Sequence, residues 1–154
     1  MTNLGMSSCV HHHPEKLNKI RHALESGEPP SHDALIKRCL NIAQRNSECR
    51  RALTHLIDGM LQDLGHVSLR TEAELDQYCY RVAGTVGLLM CPILGTHDRN
   101  AFAFAVDLGI GMQLTNICRD VLEDAGMGRR YLPHWIKADA IGEGSCDARE
   151  VTSQ

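Results

Sequence analysis

One apolar segment, Ala101 to Cys118, limits most strongly what this chain can fold into. A segment of this length and apolarity predicts a helix that is buried on most sides. We expect the helix to begin at a cap, Asp98 or Asn100, and to reach about Asp124. A helix of this kind needs other helices around it.

Four further helices are predicted upstream from apolar spacing and from start and stop signals. Ser31 or Asp33 is the expected cap of the second of these helices, and Thr71 with Glu74 forms a capping-box pattern before the fourth. The predicted spans are 16–25, about 33–44, 48–64 and 71–94. Aromatic residues make up only 4% of the chain, which disfavours a sheet-based core. The predicted fold is therefore all-α, with one domain at 16–135, a disordered tail at 1–15 and a polar tail at 136–154.

Composition excludes several classes of protein. The formal net charge of −3 gives no reason to expect nucleic acid as a partner. The seven cysteines are scattered and form no CxxC pair, which indicates reduced thiols. The first residues do not resemble a signal peptide, and no run of 18 uninterrupted apolar residues predicts a membrane span. The expected location is cytoplasmic.

Polar side chains interrupt the apolar segment at helical spacing. Gln113, Asn116, Asp120 and Asp124 follow one another at steps of three, four and four. On a helix these positions fall within an arc of roughly 80°. Two aspartates four residues apart suit Mg²⁺, which takes one or two carboxylates and completes its shell with water and substrate phosphate. The pattern therefore favours a site for Mg²⁺ and a phosphorylated ligand.

A second interpretation stays open at this point. Three arginines lie close to the aspartates in the sequence: Arg119, Arg129 and Arg130. They could hold a diphosphate, or they could pair with the carboxylates at a solvated helix end. The spacing of the aspartates alone does not decide between these two interpretations.

Three motifs occur in order along the chain: YCYRVAGTVG from Tyr78 to Gly87, QLTNICRDVLED from Gln113 to Asp124, and GRRYLP from Gly128 to Pro133. Together they resemble the squalene and phytoene synthase family. The resemblance implies an isoprenoid synthase-type helical bundle around a deep cavity. It also implies head-to-head condensation of two prenyl diphosphates in two Mg²⁺-dependent steps, through a cyclopropylcarbinyl diphosphate.

The resemblance assigns roles to particular residues. Asp120 and Asp124 match the second metal-binding aspartate motif of the family. Substrate-binding positions are Gln113, Asn116 and Arg119, and Tyr78 matches a catalytic tyrosine that assists proton loss or steers the cation. A tyrosine packed between helices with its hydroxyl satisfied is the alternative for Tyr78. Gly84 and Gly87 are predicted to be packing positions.

The sequence departs from the family pattern upstream of Tyr78. Family members carry a first DxxxD motif there, whereas Asp33 stands alone and Asp58 and Asp63 are five residues apart. We interpret Asp58 and Asp63 as exposed helix charges. The resemblance therefore implies an incomplete bundle that lacks N-terminal and C-terminal helices. Such a chain should expose apolar helix faces and self-associate.

Several functions remain open from the sequence. The residues of the motifs resemble those of phytoene synthases most, which favours phytoene formation from geranylgeranyl diphosphate. The alternatives are squalene or dehydrosqualene formation from farnesyl diphosphate, with NADPH needed only for squalene, and a non-catalytic helical protein that resembles assembly factors. A half-site completed by a separate N-terminal piece is a further alternative. Peripheral contact with a membrane is expected for an apolar product.

Overall fold

The computed structural model describes residues 12–28, 33–44, 47–96 and 98–133. Within these residues the chain forms seven α-helices: α1 (His12–Ser26), α2 (Ala34–Ala43), α3 (Ser47–Asp63), α4 (Glu72–Cys79), α5 (Thr85–Ile93), α6 (Arg99–Arg119) and α7 (Val121–Gly126). The all-α prediction is confirmed. Residues 1–11 and the predicted tail at 136–154 lie outside the described residues, while His12 belongs to α1.

Two of the helices begin at aspartate caps. Asp33 precedes α2, and its carboxylate accepts from the backbone N–H of Leu35 at 2.8 Å. Asp98 precedes α6 and accepts from the N–H of Asn100 at 2.9 Å. These bonds satisfy N–H groups that have no partner within the helix. Of the two expected caps for α6, the structure therefore uses Asp98; Ser31 lies outside the described residues.

The predicted capping box of α4 is present. The Thr71 hydroxyl accepts from the N–H of Glu74 at 3.2 Å, and the Glu74 carboxylate accepts from the N–H of Thr71 at 3.2 Å and of Arg70 at 2.6 Å. These backbone donors lower the pKa of Glu74. The box sets the start of the helix that carries Tyr78.

Replacing Thr71 by alanine is expected to destabilise the chain by about 1 kcal/mol, because an N–H of the first turn loses its acceptor. Thr71→Ser keeps the hydroxyl and should stay close to wild type. Urea unfolding followed by circular dichroism measures both variants. Equal stability of the alanine and serine variants would contradict the prediction.

The single helix predicted at 71–94 is divided by a π-helical turn. Tyr80–Gly84 forms this turn between α4 and α5, and the N–H of Thr85 donates to the carbonyl of Tyr80, five residues earlier. The Thr85 hydroxyl donates to the carbonyl of Arg81 at 2.6 Å. The turn inserts one residue into the helical register, which apolar periodicity does not reveal.

The core consists of two clusters. The larger one joins α1, α2, α3 and Leu89 of α5. The smaller one joins α4, the 67–69 segment, Ile117 of α6 and Tyr131. A short parallel bridge joins the 67–69 segment to Arg130. The N–H of Arg130 donates to the carbonyl of Val67, and the N–H of Leu69 donates to the carbonyl of Arg130, both at 2.9 Å. The smaller cluster therefore attaches the segment after α7 to the α3–α4 connection.

Glycines let α6 approach the π-helical turn and α5 closely. A Cβ on Gly109 would lie 2.5 Å from the carbonyl oxygen of Ala83, and a Cβ on Gly87 would collide with the carbonyl of Ala105. Gly84 is buried against Val106. The prediction that Gly84 and Gly87 are packing positions is confirmed.

Helix α6 is exposed along one side, so the prediction that it is buried on most sides is wrong. Ile117 is its one buried residue, whereas Phe104, Leu108 and Met112 are 72%, 66% and 61% exposed. Exposed apolar helix faces, expected for an incomplete bundle, are thus present. The reason is that α5 and the π-helical turn cover one side of α6, and no described element covers the other.

By length and composition, α6 is also long and apolar enough to cross a membrane. Core helices of soluble proteins meet the same criterion. Helix α6 also carries Asp107, Gln113 and Asn116, which are costly in a hydrocarbon layer. These three polar side chains argue against α6 as a membrane span.

Candidate functional site

A continuous stripe of side chains winds along α6 and α7 at intervals of four residues. Residues four apart are neighbours on a helix surface. The stripe consists of Phe104, Leu108, Met112, Asn116, Asp120 and Asp124. Its first three members are apolar and exposed, and its last three are polar and half-buried. The apolar part, from Phe104 to Met112, is about 12 Å long at 1.5 Å per residue.

The sequence predicted one unbroken helix that reaches about Asp124. The structure instead has a bend at Asp120. This residue has φ −101° and ψ 14° and separates α6 from α7. Backbone hydrogen bonds continue across the bend, from Asp120 N–H to Asn116 and from Asp124 N–H to Asp120, each at 2.9 Å. Both carboxylates therefore stay four residues apart on a continuous hydrogen-bonded chain.

Arg119 binds the carboxylate of Asp120 with two hydrogen bonds. Its Nε donates to Oδ1 at 2.7 Å and its Nη2 donates to Oδ2 at 2.6 Å. This pairing lowers the pKa of Asp120. Arg119 is 67% exposed and can therefore turn toward an anionic ligand. The ion pair expected for a solvated helix end is thus present, and it involves one of the two aspartates.

The second carboxylate, Asp124, is not paired in this way. Burial raises the pKa of Asp124, the charge of Asp120 raises it further, and nearby Arg129 partly opposes both effects. A cation between the two carboxylates would offset the charge of Asp120 that raises the pKa of Asp124. Asp120 and Asp124 thus suit a divalent cation that takes its remaining ligands from water and phosphate. No group of three or more His, Cys, Asp or Glu side chains suited to a metal occurs in the described part of the chain.

The other predicted binding residues lie near this end of α6. Gln113 and Asn116 are half-buried on α6, about two turns and one turn before Asp120, respectively. Arg129 and Arg130, proposed above as diphosphate ligands, instead donate to backbone carbonyls, Arg129 to Asp63 at 3.4 Å and Arg130 to Leu132 at 3.1 Å. Of the three arginines, Arg119 is therefore the one whose guanidinium binds an aspartate side chain.

Tyr78 is buried beside Asp63. It is 3% exposed, and its hydroxyl donates to the carboxylate of Asp63 at 3.0 Å to Oδ1 and 3.1 Å to Oδ2. Burial raises the pKa of Tyr78, as do its neighbours Tyr131 and Asp63, so the hydroxyl stays neutral. This environment matches the alternative of a packed tyrosine with a satisfied hydroxyl. A role of Tyr78 in the reaction stays a prediction.

Asp63 was interpreted above as an exposed charge, and that interpretation is wrong. Its carboxylate accepts from Tyr78 and, at 3.0 Å, from the hydroxyl of Tyr131. Asp58 is half-buried as well, with 23% of its side chain exposed, and it forms an ion pair with Arg21 at 3.3 Å. Asp63 lies four residues after buried Gly59, on the apolar side of α3. That position was the available signal, because a carboxylate on an apolar helix face needs donors.

A cavity of about 480 Å³ lies at the other end of α6. Its lining includes His55, Tyr80 and Phe102. His55 Nδ1 and the hydroxyl of Tyr80 form a hydrogen bond of 3.3 Å in this lining. The cavity is separated from Asp120 by most of the length of the helix, so it does not belong to the aspartate site.

A family model for squalene/phytoene synthase matches residues 7–142, which is most of the chain. The chain belongs to the squalene/phytoene synthase family. A phytoene synthase of Thermus thermophilus is 58% identical over 82 residues, which cover 53% of this chain and 28% of that protein. A phytoene synthase of Pseudescherichia vulneris is 41% identical over 102 residues, covering 66% of this chain and 33% of the relative.

Plant proteins are similar as well. A chloroplastic phytoene synthase of Daucus carota is 49% identical over 84 residues, covering 51% of this chain and 21% of the relative. This member of the family thus spans about a fifth to a third of the length of these three relatives. No solved structure matches the chain significantly.

Proposed function

We propose that this chain binds a prenyl diphosphate together with Mg²⁺ and takes part in the head-to-head condensation of two such molecules. The observation that carries the proposal is the stripe along α6 and α7, which changes from apolar to acidic at Asn116. A prenyl diphosphate has the same order of parts, a long apolar chain and a charged head. Geranylgeranyl diphosphate is the favoured substrate and phytoene the favoured product, because the similar proteins are named phytoene synthases.

The two ends of the stripe serve different parts of the ligand. Phe104, Leu108 and Met112 offer an exposed apolar wall of about 12 Å against which part of a prenyl chain can pack. At the other end Asp120 and Asp124 would hold Mg²⁺, which when bound supplies the charge that stabilises the departing diphosphate. An apolar wall also excludes water from an allylic cation.

The neighbouring polar side chains would bind the diphosphate. Arg119 can leave Asp120 once a cation neutralises that carboxylate, and its guanidinium can then donate two hydrogen bonds to phosphate oxygens. Gln113 and Asn116 would donate amide N–H groups beside it. Tyr78 contributes a neutral hydroxyl whose proton is directed at Asp63. An apolar product is expected to pass into a membrane after its release. We therefore propose that the chain acts in the cytoplasm at the periphery of a membrane.

The first test measures binding of a non-hydrolysable geranylgeranyl diphosphate analogue by calorimetry, with and without Mg²⁺. Binding should require Mg²⁺ and should fall at least tenfold in Asp120→Asn, because the charge that holds the metal is halved. Asp107→Asn is the matched control, since Asp107 is an exposed carboxylate of α6 outside the stripe. Folded wild-type chain that binds no analogue would overturn the proposal.

A product assay on the same proteins identifies the reaction. Geranylgeranyl and farnesyl diphosphate are each offered with Mg²⁺, in the presence and absence of NADPH. A C40 hydrocarbon that disappears in Asp120→Asn and persists in Asp107→Asn is the expected result. A C30 product would instead assign the chain to squalene or dehydrosqualene formation, and the NADPH requirement would separate these two.

A further inference from the structure

The carboxylate of Asp63 joins three parts of the chain that are distant in sequence. Asp63 is the last residue of α3, Tyr78 lies in α4 and Tyr131 lies after α7. Both tyrosine hydroxyls donate to this one carboxylate at 3.0 Å to Oδ1. The two rings also contact each other, with centroids 4.8 Å apart. These three side chains form what we call the Asp63 unit.

The two tyrosines of the Asp63 unit are enclosed by apolar side chains, and Asp63 is half-buried. Tyr78 is 3% and Tyr131 is 7% exposed, and both pack with Val67 and Ile117. A carboxylate among apolar groups loses solvation, so it is stable only where donors replace water. Apolar residues of the same volume would stabilise a core at least as well. The polar unit is therefore better explained by the geometry that it imposes than by the stability that it adds.

The geometry that the unit imposes reaches Asp124. The N–H of Arg129 donates to the carbonyl of Asp124 at 2.9 Å, and the guanidinium of Arg129 donates to the backbone carbonyl of Asp63 at 3.4 Å. The hydroxyl of Tyr131, two residues after Arg129, donates to the Asp63 carboxylate. The segment that leaves α7 is thus attached to the end of α3 through both the backbone and the side chain of Asp63.

We propose that Asp63 is a positioning residue for the prenyl diphosphate site: through Tyr131 and Arg129 it holds the end of α7, and with it Asp124, while it also directs the hydroxyl of Tyr78. This inference rests on the proposed function. It adds to the predicted site a residue that contacts neither ligand nor metal. Loss of the Asp63 carboxylate should therefore weaken ligand binding without removing any ligand contact.

The test compares Asp63→Asn and Tyr131→Phe with two controls in Mg²⁺-dependent binding of the geranylgeranyl diphosphate analogue. Asp63→Asn keeps the shape of the side chain and one acceptor oxygen, so the fold should persist. Tyr131→Phe removes one hydrogen bond and leaves the Tyr78–Asp63 bond in place. Both variants should bind the analogue about tenfold more weakly than wild type, the size of effect seen for groups that orient metal ligands.

The controls separate positioning from general destabilisation. Asp58→Asn makes the same substitution on the same helix, at a half-buried carboxylate that pairs with Arg21 and lies outside the Asp63 unit. Thr71→Ala destabilises α4 but removes no hydrogen bond of the Asp63 unit. Both controls should bind the analogue as wild type does. Hydrogen exchange at the amides of Leu69 and Arg130 should accelerate in Asp63→Asn and not in Asp58→Asn.

Tyrosinate absorbance gives a spectroscopic signature of the same unit. The charge of Asp63 contributes to the raised pKa of both tyrosines, so Asp63→Asn should shift tyrosine ionisation to lower pH, and Asp58→Asn should not. Wild-type affinity in Asp63→Asn would overturn the positioning role and leave the proposed function standing. Equal weakening in Thr71→Ala would also overturn it. Wild-type chain that binds no analogue would overturn the proposed function and this inference together.

Discussion

Replacing Asp124 by asparagine is expected to abolish Mg²⁺-dependent binding of a prenyl diphosphate analogue while stabilising the ligand-free chain at neutral pH. The two effects have one cause. Asp124 loses solvation in the folded chain and lies near the charge of Asp120, so its ionised form is unfavourable until a cation is bound. Asparagine removes that unfavourable charge and with it the metal ligand. We expect the affinity to fall at least a hundredfold, as for loss of a buried charged partner worth about 3 kcal/mol.

The pH dependence of the stability follows from the direction in which folding shifts the pKa of Asp124. The pKa of Asp124 is higher in the folded chain than in the unfolded chain, so its protonated form stabilises the fold. That contribution is complete below the unfolded pKa and is lost as the pH rises through the folded pKa. The stability advantage of Asp124→Asn should therefore be present at neutral pH and vanish in acid. Asp120 behaves oppositely, because Arg119 lowers its pKa.

Thermal unfolding of both proteins from acid to neutral pH, without and with Mg²⁺ and the analogue, measures these effects. Asp107→Asn serves as the control for loss of one negative charge on the neighbouring helix. On acidification, wild-type binding should weaken first through protonation of Asp124, the carboxylate with the higher pKa. A ligand-free Asp124→Asn chain that is less stable than wild type at neutral pH would contradict this account.

Replacing Gly109 by alanine is expected to destabilise the chain by about 2–3 kcal/mol, although alanine favours helices. The new methyl would lie 2.5 Å from the carbonyl oxygen of Ala83 and 3.0 Å from the backbone nitrogen of Gly84. Both are backbone atoms of the π-helical turn and cannot move without displacing a helix, so the strain is that of an overpacked core. Because Gly109 lies beside the stripe on α6, analogue binding should weaken as well.

Gly111→Ala is a matched control two residues away on the same helix. A Cβ there meets no atom within 4 Å, so the substitution adds only helix propensity and should stabilise by about 0.5–1 kcal/mol. Urea unfolding of the two variants should thus shift in opposite directions. Similar shifts for Gly109→Ala and Gly111→Ala would show that α6 does not pack against the π-helical turn as described.

Local sequence was sufficient to predict much of the fold. The caps Asp33, Thr71 and Asp98 act on N–H groups two or three residues ahead, so their roles follow from short-range spacing. The proposed aspartate site was predicted in the same way, because Asp120 and Asp124 lie one helical turn apart. The break between them was not predicted, since apolar periodicity continues through a bend that changes a single φ/ψ pair.

Other features depend on contacts between distant parts of the chain. Asp63 and Tyr131 are 68 residues apart, and no local pattern relates a helix-ending aspartate to a tyrosine in a later loop. Exposure of α6 also depends on which elements are present to cover it. The apolar residues of α6 would be the same whether another helix or an apolar ligand covered them, so the sequence does not predict which of the two is the neighbour.

The sequence by itself determined the all-α class, three of the helix starts, family membership through its motifs, and the spacing of Asp120 and Asp124. These features depend on residues within a turn or two of each other, where backbone geometry sets the distances. Only the tertiary structure decided that Asp63 binds two tyrosines, that Arg119 pairs with Asp120, and that the apolar side of α6 is open beside the carboxylates. Those features depend on how helices pack, because packing determines which side chains meet and which lose water.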